Sequence, residues 1–275
     1  MDRERDSKLT KLREILGGMK SAIVAFSGGA DSTFLLKMAV EALGAEKVLA
    51  VTGHSPTYPA WELEESQVLT RLLGARQVVI TTEELDKGDF AANSPERCYF
   101  CKQELFARLL QIAEKERGSY VLDGTNCDDL GDFRPGRKAA KELGVRSPLL
   151  EAGLTKDDIR FFSREMGLPT WNKPAYACLS SRFPYGTRIT REKLALVERG
   201  EDFLRSLGFK QFRLRHHGEI ARIEISREQF PLMMEKAVEV AGELKAAGFT
   251  YVALDLEGYR MGSMNEGLPV GGQAS

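Results

Sequence analysis

Apolar runs alternate with amphipathic stretches along the first half of the chain. Short runs rich in Val, Ile, Leu and Ala predict buried strands at 22–26, 48–51, 78–81 and 120–122. Helical periodicity occupies the segments between them and one segment before the first strand: 8–18, 31–43, 60–73 and 101–116. Strands that alternate with helices predict an α/β fold, with a mainly parallel sheet that carries helices on both faces.

The pattern changes beyond residue 150. Thr155 and Asp158 predict the capped start of a helix that runs to Met166, because both side chains can accept N–H groups of the first turn. Residues 171–190 are rich in Pro, Ser, Gly and aromatic residues without periodicity, which predicts a long functional loop. The elements predicted after it are those of a small α+β domain: a helix at 192–207, strands at 212–216 and 220–226, a helix at 228–246 and a strand at 251–256.

These patterns predict a division of the chain into three parts. We expect one domain at 1–170, an interdomain active-site loop at 171–190, and a smaller substrate-binding or oligomerisation domain at 191–275. The tail at 267–275 is expected to be disordered. A length of 275 residues is sufficient for one large hydrophobic core or two smaller ones.

Composition and charge narrow the class of protein. The chain is 43% hydrophobic and 29% charged, with a formal net charge of −1, so no global field would attract nucleic acid or a membrane surface. No apolar segment is long enough to span a bilayer, and the N-terminus lacks an apolar signal core. We expect a cytoplasmic protein, in which the four cysteines stay reduced and serve metal binding or catalysis rather than disulfides.

The most informative motif follows the first predicted strand. Ser27-Gly28-Gly29-Ala-Asp31-Ser32 leads from that strand into a helix. Glycines let a ligand approach the backbone, and the N-terminus of a helix attracts anions, so the segment predicts a phosphate site. It lacks the Gly-Lys-Ser/Thr of a Walker A loop and resembles the PP-loop of ATP pyrophosphatases. The alternative is an ordinary strand–turn–helix with a glycine hinge.

A second polar loop follows the last strand of this predicted sheet. The segment 123–129 reads Asp-Gly-Thr-Asn-Cys-Asp-Asp, and Asn126 and Asp128 are its candidate nucleotide contacts. Its carboxylates and amides could bind Mg²⁺, or the ribose and phosphates of ATP on the PP-loop. The alternative is a turn rich in Asn and Asp.

The cysteines form the third group of candidates. Cys98 and Cys101 make a C-x-x-C pair, which alone lacks the ligands for a zinc site or an iron–sulfur cluster. Cys178 lies in the aperiodic loop among Lys173, Arg182 and Arg188, whose charges would favour its thiolate. Cys127 could be a fourth ligand, although it lies inside the proposed nucleotide loop. For each cysteine the alternative is a small apolar group in the core.

A pair of arginines in the C-terminal domain could bind an anion. Arg213 and Arg215 alternate with apolar residues on a predicted strand and therefore share one face. With Arg260 they could hold a phosphate or carboxylates bidentately. A solvated strand face is an equal alternative from the spacing alone.

Four segments in this order resemble the LarE family, ATP-dependent sulfur transferases of nickel-pincer nucleotide cofactor synthesis. They are the PP-loop, Arg97-Cys-Tyr-Phe-Cys-Lys102, Gly124-Thr-Asn-Cys-Asp-Asp129, and Trp171-Asn-Lys-Pro-Ala-Tyr-Ala-Cys-Leu-Ser-Ser-Arg182. The resemblance covers nearly the whole chain. It implies ATP and Mg²⁺, with Asp31 and Ser32 active in adenylylation of a carboxylate of a pyridinium-biscarboxylate mononucleotide, and subsequent conversion to a thiocarboxylate.

The same resemblance implies two sources of sulfur. In one branch of the family, the cysteine that matches Cys178 gives up its own sulfur. In another branch, three cysteines that match Cys98, Cys101 and Cys178 hold a four-iron four-sulfur cluster, and Cys127 departs from that pattern. Sulfide or a cysteine desulfurase would then be the donor, and a homo-oligomer is expected.

Two other classes of function also fit this sequence. A tRNA thiolase or another PP-loop amidotransferase would also combine a PP-loop with adenylylation, and a thiolase also needs three cluster cysteines. A thiolase needs a tRNA-binding surface, and the net charge of −1 argues against one. An adenine-nucleotide sensor on the same fold would leave the cysteines without a purpose.

Overall fold

The computed structural model describes residues 2–116, 119–131, 135–174 and 176–266. The predicted disordered tail at 267–275 lies outside these residues. The chain divides into two compact units: Met1–Glu84 with Glu96–Tyr176, and Leu85–Pro95 with Ala177–Ser275. Nothing in the sequence pattern predicts that Leu85–Pro95 belongs to the second unit.

The first unit contains a four-stranded parallel sheet of order β3-β2-β1-β4. Its strands are β1 Ala22–Ala25, β2 Val48–His54, β3 Arg76–Thr81 and β4 Tyr120–Leu122. The helices before β4 are α1 Asp2–Gly17, α2 Ala30–Leu43, α3 Ala60–Leu72, α4 Gly88–Ala91 and α5 Arg97–Lys115. Of these, α4 belongs to the second unit. The helices after β4 are α6 Pro135–Glu142, α7 Pro148–Glu151 and α8 Lys156–Glu165.

Helices cover both faces of this sheet, as the sequence predicts. Val24 of β1 packs in one apolar cluster with residues of α1, α2 and α8, among them Leu12, Phe34 and Phe162. Its neighbour Ile23 belongs to a different cluster with α5 and α6. Successive strand residues point to opposite faces, so two separate clusters on one strand are the signature of a sheet buried on both sides.

Helix α1 begins at Asp2, six residues before the predicted start, because ion pairs hold its polar first turns. Arg5 and Lys8 each donate to the carboxylate of Asp158 at 3.0 Å. The predicted capping box of α8 is confirmed: Thr155 Oγ1 accepts the N–H of Asp158 at 3.2 Å, and Asp158 Oδ2 accepts that of Thr155 at 3.1 Å. Asp158 therefore caps the N-terminus of α8 and holds the first turns of α1 through ion pairs.

The second unit carries a three-stranded sheet of order β5-β6-β7. Strands β5 and β6 are antiparallel, whereas β7 runs parallel to β6. Its elements are α9 Arg191–Ser206, β5 Phe212–His217, β6 Ile220–Ile225, α10 Phe230–Ala247 and β7 Tyr251–Leu254. The alternation predicted for β6 is confirmed, because Ala221, Ile223 and Ile225 are buried in one cluster with Leu204 of α9 and Leu244 of α10.

The aperiodic segment is irregular, as predicted. Where it is described, its regular structure is a single 3-10 turn at Leu179–Arg182. Across the described part of the chain, no helix is both long and apolar enough to cross a membrane.

Candidate active site

The PP-loop connects the end of β1 to the start of α2 and is closed by its own serines. Ser27 Oγ and Ser32 Oγ lie 3.2 Å apart, and Ser32 Oγ also donates to the carbonyl of Gly29 at 3.2 Å. Gly29 is the N-cap of α2 and provides no side-chain cap. A helix N-terminus whose N-cap residue provides no side-chain cap can bind an anion, as in other phosphate-binding loops.

Two glycines keep the backbone close around this loop. Gly28 has φ of +69°, and a Cβ there would lie 3.3 Å from Cβ of Ser66. A Cβ on Gly124, in the loop after β4, would lie 3.2 Å from the backbone nitrogen of Ser32 and 3.3 Å from Cβ of Asp31. The β4 loop thus packs against the first turn of α2, at the carboxyl edge of the sheet where ligands of such folds bind.

The carboxylates of the β4 loop are largely used to fold the loop itself. Asp123 accepts hydrogen bonds from Thr125 Oγ1 at 2.8 Å and from Ser147 Oγ at 2.6 Å. Asp129 accepts the N–H of Asn126 at 3.2 Å and forms an ion pair with Lys156 at 3.4 Å.

The two predicted nucleotide contacts of this loop are capping residues in the structure. Asn126 is fully buried, and its Oδ1 accepts the N–H of Asp128 at 3.0 Å, whereas its Nδ2 has no hydrogen-bond partner among the described residues. Asp128 is exposed, and its Oδ2 accepts the N–H of Lys156, the first residue of α8, at 2.6 Å. Both capping roles fit the alternative interpretation of this segment, a turn rich in Asn and Asp.

A lysine from the start of the aperiodic segment contacts the PP-loop. Lys173 Nζ donates to the carbonyl of Gly28 at 3.1 Å and to Glu65 at 3.0 Å. Tyr58 Oη donates to the carbonyl of Ser27 at 2.8 Å. Burial, and then the charges of Glu62 and Glu65, raise the pKa of Tyr58, so it remains a protonated donor. Neither contact was predicted, because both residues are distant from the loop in sequence.

The C-x-x-C pair lies on the first turns of α5. Cys98 is exposed and Cys101 is half-buried, and their spacing places them one helical turn apart. A helix N-terminus favours the thiolate form that binds metals. Among residues 2–116, 119–131, 135–174 and 176–266, no group of three or more His, Cys, Asp or Glu side chains is placed to hold a metal ion.

Cys127 has a different environment from the other cysteines. It is half-buried, and burial is the largest cause of its raised pKa. The charges that act on it belong to Lys8 and Lys11 of α1 and to Asp128 and Asp158. A thiol held protonated by burial suits packing between elements better than metal binding.

The backbone around Cys178 is held by a buried arginine. Arg182 Nη1 donates to the carbonyls of Ala177 at 2.6 Å and Cys178 at 3.2 Å. The same guanidinium forms a bidentate pair with Glu201 of α9, at 2.7 and 2.8 Å, and both side chains are at most 1% exposed. The thiol of Cys178 is exposed. Arg182 therefore positions this segment, and its charge is already paired with a carboxylate.

The two predicted phosphate-binding arginines are buried rather than solvated. Arg215 donates to Glu224 at 2.7 Å, to Ser263 Oγ at 3.0 Å and to the carbonyl of Ser181 at 2.9 Å. Arg213 lies over the ring of Tyr259, 5.1 Å from its centroid. Arg213 and Arg215 share one face of β5, as predicted, and lie opposite Glu224 and Arg222 in the register of β6.

Arg260 belongs to a neighbouring, exposed group. It pairs with Glu257 at 2.8 Å and with Glu266 at 3.2 Å. Asp255 lies 3.8 Å away as well, so the charge of Arg260 is already shared among three carboxylates. That Arg260 joins the other two arginines in binding an anion stays a prediction.

Comparison with known proteins agrees with this geometry. The sequence matches the profile of the NAD synthase family over residues 9–119, the segment that contains β1 to β3 and the PP-loop. Together with the parallel sheet flanked by helices, this match defines the class: an α/β protein of the PP-loop type.

Relatives that match along the whole chain define a narrower family. The chain is 40% identical over 262 residues to the pyridinium-3,5-bisthiocarboxylic acid mononucleotide synthase of Lactiplantibacillus plantarum, with 95% of each chain covered. It is 44% identical to an uncharacterized protein of Synechocystis, covering 94% of this chain and 97% of that one. A protein of Methanocaldococcus jannaschii is 32% identical, with 92% and 97% covered. The chain belongs to the family of pyridinium-3,5-bisthiocarboxylic acid mononucleotide synthase.

Proposed function

We propose that this protein is an ATP-dependent sulfur transferase. It adenylylates a carboxylate of pyridinium-3,5-biscarboxylic acid mononucleotide and converts that group to a thiocarboxylate, for nickel-pincer cofactor synthesis. The observation that carries this proposal is the 40% identity to the Lactiplantibacillus plantarum synthase along 95% of both chains. The PP-loop geometry supports the adenylylation step, because its serines close a turn at the N-terminus of α2, where a helix attracts a phosphate.

The chemistry of activation follows from the leaving group. A carboxylate oxygen of the substrate bonds to the α-phosphorus of ATP as the bond from that phosphorus to the bridging oxygen breaks, and pyrophosphate leaves with the electron pair. N–H groups of the PP-loop, with the hydroxyls of Ser27 and Ser32, stabilise the charge that builds on the departing group. The resulting acyl-adenylate is a good electrophile, so a sulfur nucleophile can displace AMP from its carbonyl carbon.

The described residues offer oxygen donors that fit Mg²⁺ near the PP-loop. Asp31 is in the first turn of α2, beside Gly124, and Asp128 is exposed in the neighbouring loop. Hard carboxylate oxygens are the ligands that Mg²⁺ prefers. We propose that Asp31 is the main protein ligand and that Asn126 and Asp128 contact the nucleotide. Bound there, the ion would offset charge on the phosphates.

Arg213 and Arg215 are proposed to bind the phosphate of the mononucleotide. The support is their common strand face and the presence of Arg222 beside them, which pairs with Glu224 at 2.9 Å. Replacement of both by Lys keeps the charge and removes the bidentate fork. Binding of a pyridinium mononucleotide should then weaken by roughly two orders of magnitude, while ATP binding stays unchanged. Equal loss of ATP binding would show that the arginines only maintain the fold.

For sulfur delivery we propose a four-iron four-sulfur cluster held by Cys98, Cys101 and Cys178. The donor chemistry fits, since two thiols lie one turn apart at a helix N-terminus and the third is exposed. The described residues form no preformed three-ligand group, so this proposal rests on the donors rather than on their arrangement. A cluster with one open iron would carry the sulfide that the family chemistry requires.

Anaerobic purification tests the cluster and its alternative, in which Cys178 donates its own sulfur. Each Ser substitution at the three positions should bleach a brown protein, and Cys127→Ala should not. Stoichiometric zinc without iron would contradict the cluster. A mass loss of one H₂S at Cys178 after a single turnover, without iron, would identify the sacrificial route.

Product analysis tests the proposed function as a whole. With ATP, Mg²⁺, the biscarboxylate mononucleotide and a sulfur source, we expect AMP and pyrophosphate, and a substrate that gains sulfur in place of oxygen. Asp31→Ala and Ser32→Ala should abolish AMP formation. ADP and phosphate as products would contradict the proposal. Cytoplasmic location and homo-oligomerisation stay predictions, as does the identity of the sulfur donor as sulfide or a cysteine desulfurase.

A further inference from the structure

The PP-loop receives a positive charge from a residue about 145 positions away in the sequence. Between Ser27 and Ser32 the loop contains the acidic Asp31 and no basic residue. Lys173 supplies an ammonium group to the backbone of this loop, at 3.1 Å from the carbonyl of Gly28. A Walker-type loop carries its own lysine for the phosphates, whereas here the cation comes from the aperiodic segment.

Lys173 is held at the loop by two carboxylates of α3. Its Nζ is 3.0 Å from Glu65 and 3.5 Å from Glu62, and the side chain is 13% exposed. It also lies 5.6 Å from the centroid of the Trp61 ring. The ammonium and the two carboxylates sum to a charge of −1, which would repel a polyphosphate as long as both carboxylates stay in place.

The two carboxylates differ in what they could do when an anion arrives. Glu62 is 6% exposed, so its charge depends on its partners inside the protein. Glu65 is 39% exposed, so it can turn into water at small cost. An ammonium with three donors could then exchange Glu65 for a phosphate oxygen while it remains bound to Glu62 and the loop carbonyl.

We propose that Lys173 binds the pyrophosphate portion of ATP, and that Glu65 is the residue it releases to do so. The inference deepens the proposed function and rests on it, since it assumes that ATP binds at the PP-loop. Lys173 would act on the group that departs during adenylylation and not on the nucleoside. Its contribution should therefore be seen with pyrophosphate and be absent with AMP.

Calorimetric titration with pyrophosphate in the presence of Mg²⁺ tests this directly, and needs no carboxylate substrate. Lys173→Met should weaken pyrophosphate binding by about 10- to 100-fold, the range expected for one charge-assisted hydrogen bond. Lys173→Arg should recover part of that loss. AMP binding should stay within about twofold of the parent in both variants, because AMP lacks the pyrophosphate group.

Glu65→Gln distinguishes a phosphate-binding role of Lys173 from a purely structural one. If Lys173 only holds the loop in shape, removal of its partner should weaken pyrophosphate binding. If Glu65 competes with the phosphates for the ammonium, Glu65→Gln should instead tighten binding by a few-fold. Lys37→Met is the matched control, because Lys37 lies on α2 and pairs with Glu41 at 3.0 Å on the surface of that helix.

The outcomes separate this inference from the proposed function. Equal pyrophosphate affinity in parent and Lys173→Met overturns the role of Lys173, whatever the substrate of the enzyme is. Weaker binding in Glu65→Gln overturns the exchange with Glu65. A parent that binds pyrophosphate but forms no AMP from the biscarboxylate mononucleotide contradicts the proposed substrate and leaves the phosphate contact supported.

Discussion

The candidate site of the first unit is formed mainly by backbone groups, whereas that of the second unit is formed by side chains. In the first unit the anion site consists of backbone, with two glycines that allow close approach and serines that close the turn. In the second unit the candidate anion site consists of the buried Arg213 and Arg215, and Arg215 is fixed by a carboxylate, Glu224, as the positioning residue Arg182 is by Glu201. The PP-loop itself is local in sequence, although Gly124 and Lys173 reach it from later in the chain. The site of the second unit depends on pairs that are 9 to 19 residues apart.

This difference predicts whether a substitution in each site reduces ligand binding or the stability of the fold. A backbone site is lost when a Cβ enters the wrong place, while the fold around it survives. A site of buried ion pairs is part of the folding free energy of its unit, because a carboxylate left alone in the core is costly. Substitutions in the second unit should therefore reduce stability, and those in the PP-loop should reduce binding.

The largest effect is expected from Arg182→Met. It leaves Glu201 buried without its bidentate partner, and loss of one member of a buried pair costs about 3–5 kcal/mol. Arg199→Met is the matched control, because its pair with Glu243 is exposed and should contribute less than about 1 kcal/mol.

Hydrogen exchange of the β5 and β6 amides, together with denaturant unfolding, measures both variants. The double variant Arg182→Met/Glu201→Leu should regain part of the lost stability, since no buried charge is then unpaired. A similar small loss in Arg182→Met and Arg199→Met would show that the buried pair has no special role.

Gly28→Ala should have the next largest effect, and mainly on binding. Gly28 and Gly74 have nearly the same φ, +69° and +66°, so alanine at either position is strained by about 1–2 kcal/mol. A Cβ at Gly28 would also contact Ser66 at 3.3 Å, whereas nothing lies within 4 Å at Gly74.

Pyrophosphate titration and thermal unfolding distinguish the two variants. Both should lose similar stability, and only Gly28→Ala should lose pyrophosphate affinity, by about tenfold or more. Loss of affinity in Gly74→Ala as well would mean that binding follows the stability of the whole unit, and not the shape of the loop.

The local features of the first unit could be predicted from the sequence. The order of the four strands, the PP-loop and the capping box of Thr155 and Asp158 depend on residues within a few positions of one another, although β2 ends at His54 and not at the predicted Val51. Helix starts were less accurate. Ion pairs with Asp158, 150 and 153 residues away, extend α1 to Asp2, and the helices α6 and α7, of eight and four residues, are too short to be recognised from the sequence.

The side-chain partners could not be predicted, because they are set by tertiary contacts. Arg215 and Glu224 lie on facing strands, and an alternating Arg-x-Arg pattern fits a solvated face as well as a buried one. The sequence identifies Lys173 only as a basic neighbour of Cys178. No nearby residue predicts its contact with Gly28, which is 145 positions away. The i, i+3 pair Glu62 and Glu65 was the available signal, since two carboxylates on one helix face suggest a cation between them.

A smaller effect, on pH dependence, is expected in the second unit. His216 is buried between Phe183 and Phe249, with ring centroids 5.1 and 5.5 Å away. Burial lowers the pKa of His216, so the unfolded chain takes up a proton more readily as the pH falls below about 6.5. Stability should therefore decrease as the pH falls from that value toward the folded pKa, by at most about 1.4 kcal/mol per pH unit for one proton.

His216→Phe should reduce this slope by one proton. The pKa of His217 is also lowered by burial, so part of the pH dependence should remain. Denaturant unfolding at several values between pH 5 and pH 8 measures the slope. An unchanged slope in His216→Phe would show that this histidine is already protonated, or equally neutral, in both states.

The smallest effect is expected at Asp158 in the first unit, where a carboxylate, and not a histidine, carries the pH dependence. Although burial acts to raise it, hydrogen bonds from Lys8, Thr155 and Arg5 lower the pKa of Asp158 below its usual 3.8. A depressed carboxyl pKa contributes stability above the unfolded value, and this contribution is lost as the pH falls through the folded pKa. Asp158→Asn should thus cost about 1 kcal/mol at pH 7, and little once the pH has fallen below the folded pKa, which is lower than 3.8. Asp157→Asn is the control, because Asp157 is exposed in the same first turn of α8 and should change stability by only a few tenths of a kcal/mol. If the two variants are equally stable at pH 7, the ion pairs that extend α1 contribute nothing, and the early start of that helix needs another cause.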